Sequence, residues 1–452
     1  MKKTIFISIL LFSLVLYGCG SSKEPTETMS PVLVTTDNPA IITTVATPTT
    51  TTSTVSTAPG AASTPATPET TLTTTPTDGN GSPGIIAESG FAGEIQSAAN
   101  EAYRSGGGVV FIPEGDFVLN GSVTIRDNVE VVGAGIGKTV LRTSGPSMVI
   151  KMRGDNTRIS SLSLISTDYD GGNGIMIDNC IDFRVDHVHI EGYSSQAAIY
   201  IEGIDTRGVI DHSYVKMKPV SDLGYGIVVY RDDYWDDQME LGTEDAVFIE
   251  DNTFVNTRHA VAANSGAHYV FRHNVIEQNV YAQAIDAHGP YWGSTEGTRC
   301  VEIYDNLIEN PEASGSERAM GIRGGGGVIF NNTIIGYTYG IMLIMEDHQD
   351  MDSYPVYHQV HDLYIWDNSF SGEAEVIVQN LDHARTFIIQ DRDYFLYALP
   401  GYIPYTYPHP LTDEPVPQFP AGHIIEKEPV AVPFQDMPAS SGIFSRRPAA
   451  SE

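Results

Sequence analysis

Between Gly84 and about Pro420, apolar residues come in short runs with the period of strands, and the runs repeat. Residues 247–254, 270–276, 301–308, 328–334 and 363–370 share one frame. In it an apolar residue stands three before and two after a common Asn, at Asn252, Asn274, Asn306, Asn332 and Asn368. Weaker copies place Leu162, Val188 and Ser213 in the same column. Successive members lie 22 to 39 residues apart, so the shortest interval measures about one coil of a solenoid and the excess must leave as loops. A second short strand accompanies each copy, at 174–177, 198–201, 226–229, 260–263, 284–287, 320–323 and 340–343. Two strands and an Asn turn per coil predict a parallel β-helix. Asn tolerates the left-handed conformation such a turn needs, and its stacked amides would form a ladder, which makes this column structural.

The ends of the repeat carry different patterns. Ile95, Ala98, Ala99 and Ala102 fall at helical spacing and predict a short capping helix over 94–103. The run from Gly106 to Ile112, closed by Pro113-Glu114-Gly115, then gives a buried strand and a turn. After the last coil, aromatic residues at Tyr394, Phe395 and Tyr397 and again from Tyr402 to Pro410 are expected to cover its open edge. The solenoid with this cap should occupy 84–425, leaving 426–452 as a disordered tail.

The N-terminal segment and the composition after it predict an exported domain. Lys2 and Lys3 precede a twelve-residue apolar run, Ile5 to Leu16, which is too short to span a bilayer and has the layout of an export signal over 1–19. Residues 20–83 are dominated by Thr, Ser and Pro and cannot bury enough apolar surface to fold, so they predict an extended stalk. The formal net charge is −32, and no basic cluster is longer than Lys2-Lys3 or Arg446-Arg447, which argues against a nucleic-acid partner. Cys180 and Cys300 fall about four coils apart, roughly 19 Å at the strand spacing, too far for a disulfide, and are expected as packing residues. The domain is expected to act as a monomer.

Strand alternation also shows which side chains face out. In the second strand of each coil the outermost outward positions run Asp178, Glu202, Tyr230, Asn264, His288, Arg323, beside a parallel column of Tyr200, Val228, Ala262, Asp286 and Gly321. With coils about 4.8 Å apart, Asn264, His288 and Arg323 should be neighbours, with Asp286 on the same face and Tyr230 two coils from His288. That gives a base (His288), its orienter (Asp286), a cation for a carboxylate (Arg323), a neutral donor (Asn264) and a phenol (Tyr230). Tyr200 and Glu202 extend the face as substrate-binding residues. Such a set suits β-elimination at a uronate, where a base takes the proton next to the carboxylate and an acid protonates the leaving oxygen. Glu202 and Asp286, three coils apart at about 14 Å, are too distant for either hydrolytic carboxylate geometry. Acidic loops follow two of the strands, with Asp232, Asp233, Asp236 and Asp237 in one and Glu346, Asp347, Asp350 and Asp352 in the other. They could hold Ca²⁺, the one cofactor the residues suggest, or simply be solvated.

The helix, the Gly-rich strand and the Asn-turn repeats together resemble the pectate-lyase-like superfamily, which implies an all-β, single-stranded right-handed parallel β-helix; the expected partner is a polysaccharide, an acidic one. Members include polysaccharide lyases, uronan epimerases, glycoside hydrolases and non-catalytic surface proteins. Asp286-Ala287-His288-Gly289 is similar to the Asp-Pro-His-Glu motif of mannuronan epimerases at the Asp and the His. Leu16-Tyr17-Gly18-Cys19 resembles the lipobox of bacterial lipoproteins, which implies lipidation of Cys19 and a membrane contact through that anchor alone, with the domain facing outside. The expectation is therefore an extracellular lyase on a uronate-containing glycan. C5-epimerization, hydrolysis and a non-catalytic adhesive role are the alternatives.

Overall fold

Each repeat folds as one coil of a right-handed parallel β-helix. The computed structural model describes residues 84–418, apart from 146–148, 168–171, 194–196, 219–222, 237, 280–282, 291–295, 311–317, 347–357 and 380–383. The export signal, Cys19, the stalk and the tail lie outside the described residues. All strand pairings are parallel, and the coil that holds Asn252 shows the pattern. Val247–Glu250 leads through a bend to Thr253–Thr257, and after a second turn Val261–Asn264 joins a separate ten-stranded sheet. A coil thus has three strands where two were expected, because the Asn turn divides the first in two.

That turn is built differently from the expectation. The left-handed residue is the one before the Asn, with φ of +57° at Asp251, +55° at His273, +57° at Asp305, +54° at Asn331 and +51° at Asp367. Its reversal turns the following Asn inward, where the amide is buried and does the laddering. Asn252, Asn274 and Asn306 each donate from Nδ2 to the Oδ1 of the next member, at 3.2, 3.2 and 2.9 Å, and Asn332 continues to Asn368 at 2.9 Å. Inside, stacked Ile, Val, Leu and Phe form one continuous core along the axis.

The helix α1, Ala92–Arg104, buries Ile95, Ala98, Ala99 and Ala102 against the first coil. Gln96 extends the cap to the sheet edge: its amide donates to the Thr124 carbonyl at 3.0 Å and accepts from the Thr124 N–H at 2.7 Å, standing in for a missing strand. At the other end, Ala384 and Ile388 enter the core and Tyr394–Phe395 pairs with the last full coil.

The aromatic tail does not stay on that coil. It runs back along the flank of the larger sheet, because buried arginines there offer its carbonyls partners they would otherwise lack. Arg272 donates to the Tyr405 and Thr406 carbonyls, Arg184 to those of Leu411 and Glu414, and Arg158 to that of Pro415. Val416 ends against Val109, Phe111 and Val132 of the first coils, so the strap spans the whole helix. Cys180 and Cys300 are free and buried. Among the described residues no helix is long and apolar enough to cross a membrane.

Candidate active site

Six strands of the ten-stranded sheet carry the outward columns: β1 Ala197–Glu202, β2 Tyr225–Tyr230, β3 Val261–Asn264, β4 Ile285–Ala287, β5 Arg318–Ile322 and β6 Tyr339–Leu343. Their register is the expected one. Tyr200 pairs with Val228, Val228 with Ala262, Ala262 with Asp286, and Asp286 with Gly321. Tyr230 lies opposite Asn264, and the His288 N–H bonds the Ala263 carbonyl while the Arg323 N–H bonds that of Ala287, which sets Asn264, His288 and Arg323 on successive coils.

At the centre Asp286 is fully buried and gathers four partners. Arg323 grips it with Nη2 at 2.6 Å and Nε at 3.1 Å, His288 Nε2 lies at 2.9 Å, the Gln283 amide donates at 2.7 Å, and His259 Nε2 stands at 3.4 Å. Burial alone would push the Asp286 carboxyl up, but Arg323, His288 and His259 outweigh it and hold the group well below the usual carboxylate range. Out of reach of any ligand, an ionised Asp286 can only position its neighbours. Gly321 makes room for this arrangement: a Cβ there would fall 2.8 Å from Gln283 Nε2 and push the amide off the carboxylate.

His288 is half-buried between two carboxylates, with Nδ1 3.7 Å from Glu346. Arg323 Nη2 also touches its Nε2. Burial, the largest effect, pulls the imidazole pKa down, but Asp286 and Glu346 together outweigh burial and Arg323, and the net shift is upward. The cluster of Asp286, Glu346 and Arg323 carries one excess negative charge until His288 takes a proton, which makes the imidazole a stronger base. Arg323 itself is spoken for, since Nη1 reaches Glu346 at 3.2 Å while the other edge holds Asp286. It is an anchor of the cluster more than a free cation.

Toward the N-terminus the face turns apolar. Ala197, Val228 and Ala262 lie beneath Tyr200, Tyr225 and Tyr230, and Tyr200 meets Tyr230 edge to face at 5.6 Å. Burial raises the Tyr230 hydroxyl to about 12, so it keeps its proton at neutral pH. Glu202 is pushed up by burial and by Asp178. Asn264 turns its Oδ1 to the Ser265 N–H at 2.9 Å.

Several partners were not singled out from the sequence. His259 and Gln283 precede the strands proper, where alternation gives no direction, and burial keeps His259 neutral with a pKa of about 4. Glu346 was grouped with an acidic, calcium-binding loop, yet it is buried against Arg323. Among the described residues no group of three or more His, Cys, Asp or Glu is placed to hold a metal ion. Of the acidic loop, Asp236 pairs with Arg231 at 2.8 Å and Asp233 accepts from the Glu296 N–H, while Asp237, Asp347, Asp350 and Asp352 lie outside the described residues.

A family model described as "Rhamnogalacturonase A/epimerase, pectate lyase-like" matches residues 92–306. Mannuronan C5-epimerase AlgE5 of Azotobacter vinelandii is 24% identical over 250 residues, covering 48% of this chain and 25% of that protein. Alginate lyase 7 of the same organism is 38% identical over 55 residues, 11% of this chain and 6% of that one. The solved A-module of the A. vinelandii epimerase AlgE6 superposes with a TM-score of 0.37 at 18% identity, covering 64% of this chain and 86% of that one. This chain spans at most a third of the length of the curated relatives it matches. Its coils and turn ladder make it a right-handed parallel β-helix protein, and over residues 92–306 it is similar to the pectate lyase-like family.

Proposed function

We propose that this face binds a uronate-containing polysaccharide and that His288 abstracts the proton at carbon 5, with β-elimination as the outcome. The observation that carries the reading is His288 held between Asp286 and Glu346, half-buried and raised in basicity. In elimination, His288 takes the proton, the C–H electrons form a double bond between carbons 4 and 5, the bond to the glycosidic oxygen breaks, and Tyr230 returns a proton to that oxygen. Asp286 and Arg323 fix the imidazole, Asn264 offers a neutral donor, and Tyr200 and Glu202 hold the neighbouring sugar. The relatives named for mannuronan and alginate support a uronan as the substrate.

C5-epimerization is the second reading, favoured by the Asp286 and His288 pair and by the names of the epimerase relatives. It shares the first step and differs in returning the proton to carbon 5. Incubating the purified chain with polymannuronate, polyguluronate, polygalacturonate and neutral glycans separates the outcomes. New ultraviolet absorbance with new reducing ends supports the lyase, and altered residue composition without new ends supports the epimerase. New ends without absorbance, or no change on any uronan, would contradict the proposal.

A further inference from the structure

In this acidic chain most arginines on the coils are matched with a carboxylate, as Arg153 is with Asp178, Arg184 with Asp211, Arg272 with Glu250 and Arg323 with Asp286. Arg258 is among those without such a partner. It sits at the edge of the working face immediately before His259, with its N–H on the Gly224 carbonyl. Its guanidinium lies 5.5 Å from the Tyr225 ring centroid, it makes no ion pair with any described carboxylate, and its enclosed Nε has no hydrogen-bond partner. Half-buried and with no described carboxylate at its side, the guanidinium keeps its charge for an anion from outside.

Its surroundings fit a sugar acid. Tyr225 stacks on His259 at 5.3 Å and joins Tyr200 and Tyr230 over the apolar patch of Ala197, Val228 and Ala262, a surface on which the C–H face of a pyranose can lie. His259 in turn lies one coil, about 4.8 Å, from Gln283, which holds Asp286. Arg258 therefore stands in the turn that leads into β3, joined to the reacting centre through Tyr225 and His259, whose Nε2 lies 3.4 Å from Asp286.

We infer that Arg258, with the Tyr225 ring beneath it, binds the carboxylate of the uronate next to the one over His288. Arg323 is occupied by Asp286 and Glu346, so substrate charge is read at this neighbouring subsite, and the enzyme requires adjacent uronates in preference to isolated ones. The inference rests on the uronan reading and deepens it. In a protein with a formal charge of −32, an available cation at this point also offsets the repulsion a polyanion meets on approach.

The test is equilibrium binding of the full chain carrying His288→Ala, which keeps the polymer intact, to polymannuronate and to the same polymer with its carboxyls reduced to alcohols. Adding Arg258→Gln should weaken polymannuronate binding about tenfold and leave the reduced polymer unaffected, while Arg258→Lys restores part of the loss. Equal affinity of the parent and Arg258→Gln for polymannuronate overturns the Arg258 assignment and leaves the uronan reading standing. A parent that binds no uronan overturns that reading, and the Arg258 subsite with it.

Discussion

Replacing Asp286 by Asn keeps the shape of the side chain and removes its charge. In the folded chain Arg323, His288, Gln283 and His259 all converge on that carboxylate at 2.6 to 3.4 Å, and none of it is exposed. Breaking a buried pair by neutralising one partner costs about 3 to 5 kcal/mol, and because Arg323 keeps Glu346 at 3.2 Å the lower figure of about 3 kcal/mol applies. The pH dependence follows from the shifts. Asp286 titrates well below its unfolded value, so its contribution is complete above about pH 4 and is lost as the pH falls toward the folded pKa. The stability gap between wild type and Asp286→Asn should therefore be full at pH 7 and shrink in acid. His288 shifts upward in the fold, so its contribution is complete below about pH 6.5 and is lost as the pH rises through its folded value. Without Asp286, burial and Arg323 prevail and the imidazole pKa drops. The profile of kcat/KM against pH on polymannuronate should then show a lower plateau, with its acidic limb moved to lower pH. An acidic limb that stays in place would refute the idea that Asp286 sets the basicity of His288.

Other outcomes follow from the same structure. Asn306→Leu removes donations to the Phe271 and Tyr304 carbonyls and both ladder contacts, and should cost about 1 to 3 kcal/mol in denaturant unfolding with activity per folded molecule unchanged; a stable but inactive variant would make the ladder part of the site. Ending the chain after Ala398 strips the fully buried Arg272 of two carbonyl partners and Glu250 of the His409 N–H, so thermal unfolding should move down by several degrees, and an unchanged midpoint would show the strap to be dispensable. If Cys19 is the lipid attachment point, Cys19→Ala should abolish labelling by a fatty-acid probe and release the chain or leave it unprocessed, whereas equal labelling would remove the anchor.

The register of the working face was legible because a period of two fixes direction once a strand is placed: Asp286 and His288, two apart on one strand, had to share a side, and Asn264 and Arg323 had to flank them. What the sequence did not show lies where that period stops. His259, Gln283 and Arg258 occupy the turn into each strand, and Glu346 follows β6, so neither alternation nor spacing indicates their direction. Glu346 looked like one carboxylate among many in an acidic loop, and its contacts with Arg323 and His288 separate it from the rest. The left-handed position fell one residue before the Asn because the repeat marks which residue ladders, not which one bends the chain. The strap was misplaced for a similar reason. Its carbonyls seek donors, and the donors, Arg158, Arg184 and Arg272, are scattered over coils far away in sequence.

The central claim is that His288 removes the carbon-5 proton of a uronate. Polymannuronate incubated in D₂O with wild type and with His288→Ala, and followed by NMR, tests it most directly. Wild type should produce unsaturated residues, or deuterium at carbon 5, at a rate that falls by about two to four orders of magnitude in the variant, the usual contribution of a general base. Wild-type cleavage that leaves carbon 5 saturated and protonated, or undiminished chemistry in His288→Ala, would contradict it.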